Sequence, residues 1–175
     1  PIDGNIIKRF EQVTNMKAHP WLRRGIFFSQ KDLAKALNNY EAGKNIYLYT
    51  GRGPTSEAMH LGHMIPFMFT KYLQDAFDAF LVVQLSDDEK YFFKDGHDID
   101  YYNALSYQNA KDIIACGFHP DKTLIFSNLE TLGGALYKNV AKIMKATTGN
   151  QIRGTYGLDL NNNIPIRLGF CRLSI

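Results

Sequence analysis

Tyr47-Leu48-Tyr49-Thr50-Gly51-Arg52-Gly53-Pro54-Thr55-Ser56-Glu57-Ala58-Met59-His60-Leu61-Gly62-His63 is the stretch on which the fold turns. Its apolar start, Ile46 to Thr50, reads as a buried strand, and two glycines and a proline then make a loop. From His60 onward Leu61, Met64, Ile65, Met68, Phe69, Tyr72 and Leu73 recur at helical spacing, which predicts a helix with one apolar face. Pro66 requires that helix to begin shortly before it or to kink there. Strand, glycine loop and helix together aim unpaired backbone N–H groups and the positive end of a helix dipole at an anion. His60 and His63 stand three positions apart, on one face of the first turn. The spacing therefore predicts a nucleotide-phosphate site.

Upstream, Ile6, Ile7, Phe10 and Val13 predict a leading helix from Ile2 to Val13, broken by the segment from His19 to Gly25. Ile26-Phe27-Phe28 reads as a short extended packing piece. Ser29 is the expected N-cap, with Asp32 three residues on, of a helix from Gln30 to about Tyr40 whose apolar face is Leu33, Ala34, Ala36 and Leu37. Downstream, Phe80-Leu81-Val82-Val83-Gln84-Leu85 is nearly all apolar, as a parallel strand covered on both faces would be. From the residues alone, Gln84 fits a satisfied core amide better than a functional one. Asp87, Asp88 and Glu89 likewise fit a solvated helix start as well as a ligand site. A helix from about Asp100 to Cys116 should end at Gly117. A third strand, Thr123 to Phe126, and a helix marked by Leu136, Tyr137, Val140, Ile143 and Met144 complete the pattern.

Strand and helix alternate three times, which predicts an α/β doubly wound parallel sheet with right-handed crossovers. In such sheets ligands sit beyond the carboxyl ends of the strands, and both Thr50-Gly51-Arg52-Gly53 and the residues from Gln84 to Glu89 fall there.

The 175 residues, 45% of them hydrophobic, suffice for one sizeable core and suggest one domain by length. A net charge of +3 is too mild to argue for RNA or membrane binding by itself. No apolar run approaches the ~18 residues of a membrane span, and no signal peptide precedes Pro1. The absence of an initial methionine suggests a trimmed or processed N-terminus. Cys116 and Cys171 suggest neither a disulfide framework nor a metal knuckle, and a reducing, cytosolic compartment is expected. Glu57 with the two histidines lacks a third zinc ligand at the usual spacing, so no metal site is expected.

The loop with His60-Leu61-Gly62-His63 resembles the HIGH signature of class I aminoacyl-tRNA synthetases. The whole run from Tyr47 to His63, with Gln84 and Asp87-Asp88-Glu89-Lys90 after it, resembles the eukaryotic and archaeal tryptophanyl-tRNA synthetase family. Trp21-Leu22-Arg23-Arg24-Gly25-Ile26-Phe27-Phe28-Ser29 and Asp112-Ile113-Ile114-Ala115-Cys116-Gly117-Phe118 are similar to its eukaryotic branch, and the likeness runs to about Gly157.

The resemblance implies a helical extension over 1–44, part of a Rossmann-like catalytic domain over 45–160, and an atypical tail over 161–175. It implies activation of L-tryptophan with ATP to tryptophanyl-adenylate and pyrophosphate, then transfer to tRNA(Trp). Such chemistry asks the protein mainly to align a carboxylate and to stabilise charge developing on phosphates. His60, His63 and Arg52 carry the catalytic role by this likeness. Gly51, Arg52, Gly53, Pro54, His60, Gly62 and His63 form the ATP site. Tyr49, Thr50, Gly51, Gln84 and Glu89 form the tryptophan site, with Tyr49 and Gln84 reading the indole N–H and Glu89 the ammonium. Magnesium arrives with ATP, and no tightly bound cofactor is implied. A cytoplasmic homodimer without membrane attachment follows from the same likeness.

The family's second signature, a KMSKS-type loop, does not occur in the sequence, so a weak or inactive chain is expected. A tyrosyl enzyme is the near neighbour, but it would want an acidic partner for a phenol where Gln84 stands. Nicotinamide-mononucleotide adenylyltransferases also use a glycine loop with His-x-Gly-His, and the longer loop from Gly51 to Met59 counts against them. A synthetase-derived fragment that binds partners without catalysing anything is the non-enzymatic alternative.

Overall fold

The computed structural model describes residues 1–156, so the atypical tail lies outside the described residues. In chain order the elements are α1 (Gly4–Thr14), α2 (Pro20–Arg23), α3 (Leu33–Glu41), β1 (Tyr47–Arg52), α4 (Leu61–Phe77), β2 (Phe80–Leu85) and α5 (Asp87–Phe93). There follow α6 (Ile99–Ile114), a 3-10 turn (Pro120–Lys122), β3 (Thr123–Ser127), α7 (Asn128–Thr131), α8 (Gly134–Ala146) and α9 (Gly149–Tyr156). The strands form one parallel sheet in the order β1-β2-β3, the Rossmann-like arrangement expected from the alternation. The chain divides into two compact units.

The first unit comprises Pro1–Thr50, His60–Val82 and Ile113–Leu124. Its core joins Phe10 of α1 and Leu37 of α3 to Ala76, Phe77 and Ala79, with Ile6, Val13, Leu33, Leu48 and Tyr72 packed around them. Asp3 caps α1 by accepting from the N–H groups of Asn5 and Ile6 at 3.0 and 2.9 Å. Arg9 ties α1 to Asn38 and Glu41 of α3. Gln74, fully buried on α4, accepts from the His119 N–H at 3.1 Å and donates to Thr123 Oγ1 at 3.0 Å. That amide fastens the last turns of α4 to the start of β3.

The second unit comprises Gly51–Met59, Val83–Asp112 and Ile125–Ile175, the last described as far as residue 156. Val83, Leu85, Tyr102, Leu105, Val140 and Ile152 are its buried apolar residues. At its centre lies a carboxylate, Asp87, which is fully buried. Its oxygens accept from Ser127 Oγ, from Ser106 Oγ and Asn103 Nδ2 at 3.2 Å each, and from the Leu129 N–H at 3.2 Å.

Several elements depart from the sequence-based expectation. α3 begins at Leu33, because Asp32 adopts a left-handed backbone with φ 59° and Gln30, not Ser29, supplies the acceptor for the Leu33 N–H at 2.8 Å. Between α1 and α3 the break contains a helix of its own, α2, with Pro20 in its first turn and His19 Nδ1 accepting from the Trp21 N–H at 3.2 Å. Of the expected packing piece Ile26-Phe27-Phe28, Phe27 packs, stacking on Phe69 at 4.0 Å, while Ile26 and Phe28 are exposed. β1 runs two residues past Thr50, so Gly51 and Arg52 belong to the strand. On α4 the buried side chains are Phe67, Gln74, Ala76 and Phe77, whereas Leu61 and Met68 of the expected apolar face are exposed, Leu61 at 70%. α4 begins five residues before Pro66, which meets the requirement set by that proline.

Candidate functional site

Side chains on β1 alternate as a strand must: Tyr47 and Tyr49 are exposed, Leu48, Thr50 and Arg52 half-buried. At its carboxyl end Gly51 faces Gln84 so closely that an added Cβ would lie 3.0 Å from the Gln84 carbonyl oxygen. The Ser86 N–H donates to the Arg52 carbonyl at 3.0 Å and extends that pairing by one residue. Gly53 is covered by the Lys90 side chain, whose Cε lies 2.1 Å from the position a Cβ would take. Pro54 is buried.

The loop that follows is fastened by α6. Asn109, fully buried, accepts from Arg52 Nε at 3.2 Å and donates to the Ser56 carbonyl at 2.7 Å. One turn later Asp112 accepts from the Met59 N–H at 2.9 Å. Arg52 also donates to Thr55 Oγ1 at 3.5 Å. Burial lowers the guanidinium's proton affinity below its ordinary value, in a group that stays cationic at any physiological pH. The result is a cation pinned at a strand end, oriented by an uncharged partner. Such a group can meet a phosphate without first surrendering a carboxylate.

In the first unit, His60 stands at the N-cap of α4 with extended backbone, and its carbonyl accepts from the N–H groups of His63 and Met64 at 2.8 and 3.2 Å. The two imidazoles stack at 3.7 Å with 23° between planes. Gly62 lies under the His60 ring, whose Cε1 and Nδ1 would be 3.1 and 3.2 Å from an added Cβ. The glycine thus makes room for that ring at the helix start, where unpaired N–H groups gather. Tyr49 is 56% exposed on β1, and Thr50 is half-buried beside it.

At the end of β2, Gln84 is 8% exposed and donates from Nε2 to Asn128 Oδ1 at 2.7 Å. Asp87 and Asp88 are not a solvated helix start: they are 0% and 6% exposed, because donors from α6, β3 and α7 surround them. Asp88 Oδ1 accepts from Asn128 Nδ2 and from the Glu89 N–H, each at 2.8 Å. Glu89 is half-buried; its Oε2 accepts from Ser86 Oγ at 2.6 Å and its Oε1 lies 3.5 Å from Lys90 Nζ.

The second unit therefore brings together Gly51, Arg52, Gly53, Gln84 and Glu89 of the expected site, and the first unit pairs His60 with His63. Asn109, Asp112 and Asn128 were absent from the sequence-based set. Asn109 and Asp112 are spaced like helix neighbours, but only the fold shows that they face the glycine loop. Among the described residues no group of three His, Cys, Asp or Glu converges on a metal position, and no helix is long and apolar enough to cross a membrane.

The family model described as tRNA synthetases class I (W and Y) matches residues 41–153. The cytoplasmic tryptophan–tRNA ligase of Rattus norvegicus is 56% identical over 160 residues, covering 89% of this chain and 33% of that protein. The cytoplasmic enzyme of Saccharomyces cerevisiae is 49% identical over 159 residues, covering 91% of this chain and 37% of that one. Among solved structures, tryptophanyl-tRNA synthetase from Giardia lamblia aligns with a TM-score of 0.91 at 44% identity, over 98% of this chain and 42% of that one. The chain thus spans about a third of the length of the curated relatives it matches.

Proposed function

The chain belongs to the class I tRNA synthetases of the tryptophan and tyrosine group, and on that premise we propose that it carries the amino-terminal part of a tryptophan-activating catalytic domain. The reaction joins the tryptophan carboxylate to the α-phosphate of ATP, releases pyrophosphate and then charges tRNA(Trp). Residues 45–160 are the catalytic fold in this reading and 1–44 its helical extension, with 161–175 apart from both.

Each group takes a role its chemistry permits. Arg52, His60 and His63 stabilise charge on the ATP phosphates as hydrogen-bond donors. Gly51, Gly53, Pro54 and Gly62 shape the surface on which the nucleotide lies. By the family likeness Tyr49, Thr50, Gly51 and Gln84 take the tryptophan side chain, and Glu89 takes the ammonium. Magnesium enters with ATP, bound to its phosphates. The working form in this reading is a homodimer, and a cytoplasmic location is in keeping with the names of its relatives.

The observation that carries tryptophan over tyrosine is Gln84, a buried neutral amide where a phenol would call for an acid. A hydrogen bond built for the substrate penalises an analogue that lacks it by ~10⁴-fold or more in favourable cases. The test is equilibrium binding of L-tryptophan, L-tyrosine and L-phenylalanine to the chain, beside ATP–pyrophosphate exchange with each. Preference for tryptophan is expected, and any exchange should depend on it. Preference for tyrosine, or no binding of any of the three, overturns the proposal.

A further inference from the structure

Gln84, Asn128 and Asp88 form a buried chain of hydrogen bonds with a defined direction. Gln84 Nε2 donates to Asn128 Oδ1 at 2.7 Å, and Asn128 Nδ2 donates to Asp88 Oδ1 at 2.8 Å. The two ends of an amide have nearly the same shape, so its orientation must be imposed by a neighbour with a single role. Asp88 Oδ1 is such a neighbour. The backbone N–H of Glu89, which can only donate, meets that oxygen at 2.8 Å and makes it an acceptor. It turns the NH₂ of Asn128 toward itself, which turns the Asn128 oxygen toward Gln84. Gln84 must answer with its own NH₂, and its Oε1 is directed away from Asn128.

We propose that Asn128 and Asp88 are positioning residues that hold Gln84 as an acceptor toward the substrate ring. They thereby set selection of an amino acid with a ring N–H donor over an isostere without one. The inference rests on the reading of Gln84 as the indole partner. A flipped Gln84 would set an NH₂ against a ring N–H, two donors face to face, and the preference would vanish although nothing in contact with the ligand had been mutated. The relay joins the end of β2 to the start of α5 through the first residue of α7.

The experiment measures binding of L-tryptophan and of benzothienyl-alanine, in which sulfur replaces the ring N–H, to the full chain and two variants. Wild type should prefer tryptophan by at least about tenfold. Asn128→Leu should lose that preference while binding the sulfur analogue as before. Asp88→Asn, whose amide oxygen takes the Glu89 N–H, should keep it. Retained preference in Asn128→Leu, or equal weakening of both ligands, overturns the relay. Equal binding of both ligands by wild type instead overturns the reading of Gln84 and the relay with it. A ligand-free readout covers an Asn128→Leu chain that does not fold: in ¹⁵N-labelled wild type the Gln84 side-chain NH₂ should exchange slowly with solvent, and fast exchange there refutes the relay.

Discussion

Replacing Asn109 by leucine removes the clamp between α6 and the glycine loop without changing the volume of the site much. The buried amide serves two partners distant in sequence, the Arg52 guanidinium at 3.2 Å and the Ser56 carbonyl at 2.7 Å. A hydrogen bond to a charged group contributes about 1.5–3 kcal/mol and a neutral one about 0.5–1.5 kcal/mol. The sum is about 2–4 kcal/mol, since the remaining Asn109 contact, to Leu105 within the helix, is local. For a chain of this size each kcal/mol lowers the melting temperature by about 2–4 °C, so Asn109→Leu should melt roughly 5–15 °C below wild type. Trypsin should also cut after Arg52 faster, because the loop opens at lower cost. Asn109→Asp keeps the acceptor for Arg52 but not the donor for Ser56, and should fall between the two. A melting temperature within about 1 °C of wild type, with unchanged cleavage after Arg52, would refute the clamp.

Two further outcomes follow from buried geometry. Gly51→Ala places a Cβ 3.0 Å from the Gln84 carbonyl oxygen, so β1 and β2 must part locally at a cost of about 1–3 kcal/mol; a thermal melt equal to wild type would contradict it. Burial pushes the Asp88 carboxyl above its ordinary value of 3.8, reinforced by the Asp87 and Glu89 carboxylates and opposed by hydrogen bonds from Asn128 and the Glu89 N–H. Such a group binds its proton more tightly folded than unfolded, so its contribution to stability grows as pH falls from the folded value toward 3.8. The difference in melting temperature between wild type and Asp88→Asn should therefore move in favour of wild type over that acidic window. Movement in the other direction would show that hydrogen bonding, not burial, dominates at Asp88.

The parts of this fold that are local in sequence were legible. The run from Phe80 to Leu85 declared a buried strand, the spacing after His60 declared a helix, and Gln84 stood out as an amide among apolar neighbours. What failed depended on partners far along the chain. Asp87 and Asp88 look solvated because three acidic residues follow a strand, yet their donors sit up to 42 residues downstream. The core face of α4 was legible only in part: Tyr72 and Leu73 pack on the core, but Leu61 and Met68 are exposed, and Gln74 is buried by three hydrogen bonds that no hydropathy pattern encodes. α3 starts late because Asp32 takes a left-handed backbone, a choice that competes with capping by Ser29. The candidate site inherits the same division. Its motif residues were readable, and the asparagines that orient Arg52 and Gln84 were not.

The buried carboxylate at Asp87 has a consequence for how the chain is made. Apart from the adjacent Asp88 N–H, its donors arrive late: Asn103 and Ser106 follow it by 16 and 19 residues, Ser127 and Leu129 by 40 and 42. At about 5–20 residues per second, a ribosome leaves this carboxylate short of partners for a few seconds after it is synthesised. A bare charge resists burial, so β2 gains nothing by sealing its carboxyl end before β3 exists. Full satisfaction of Asp87 therefore requires residues as far along the chain as Leu129.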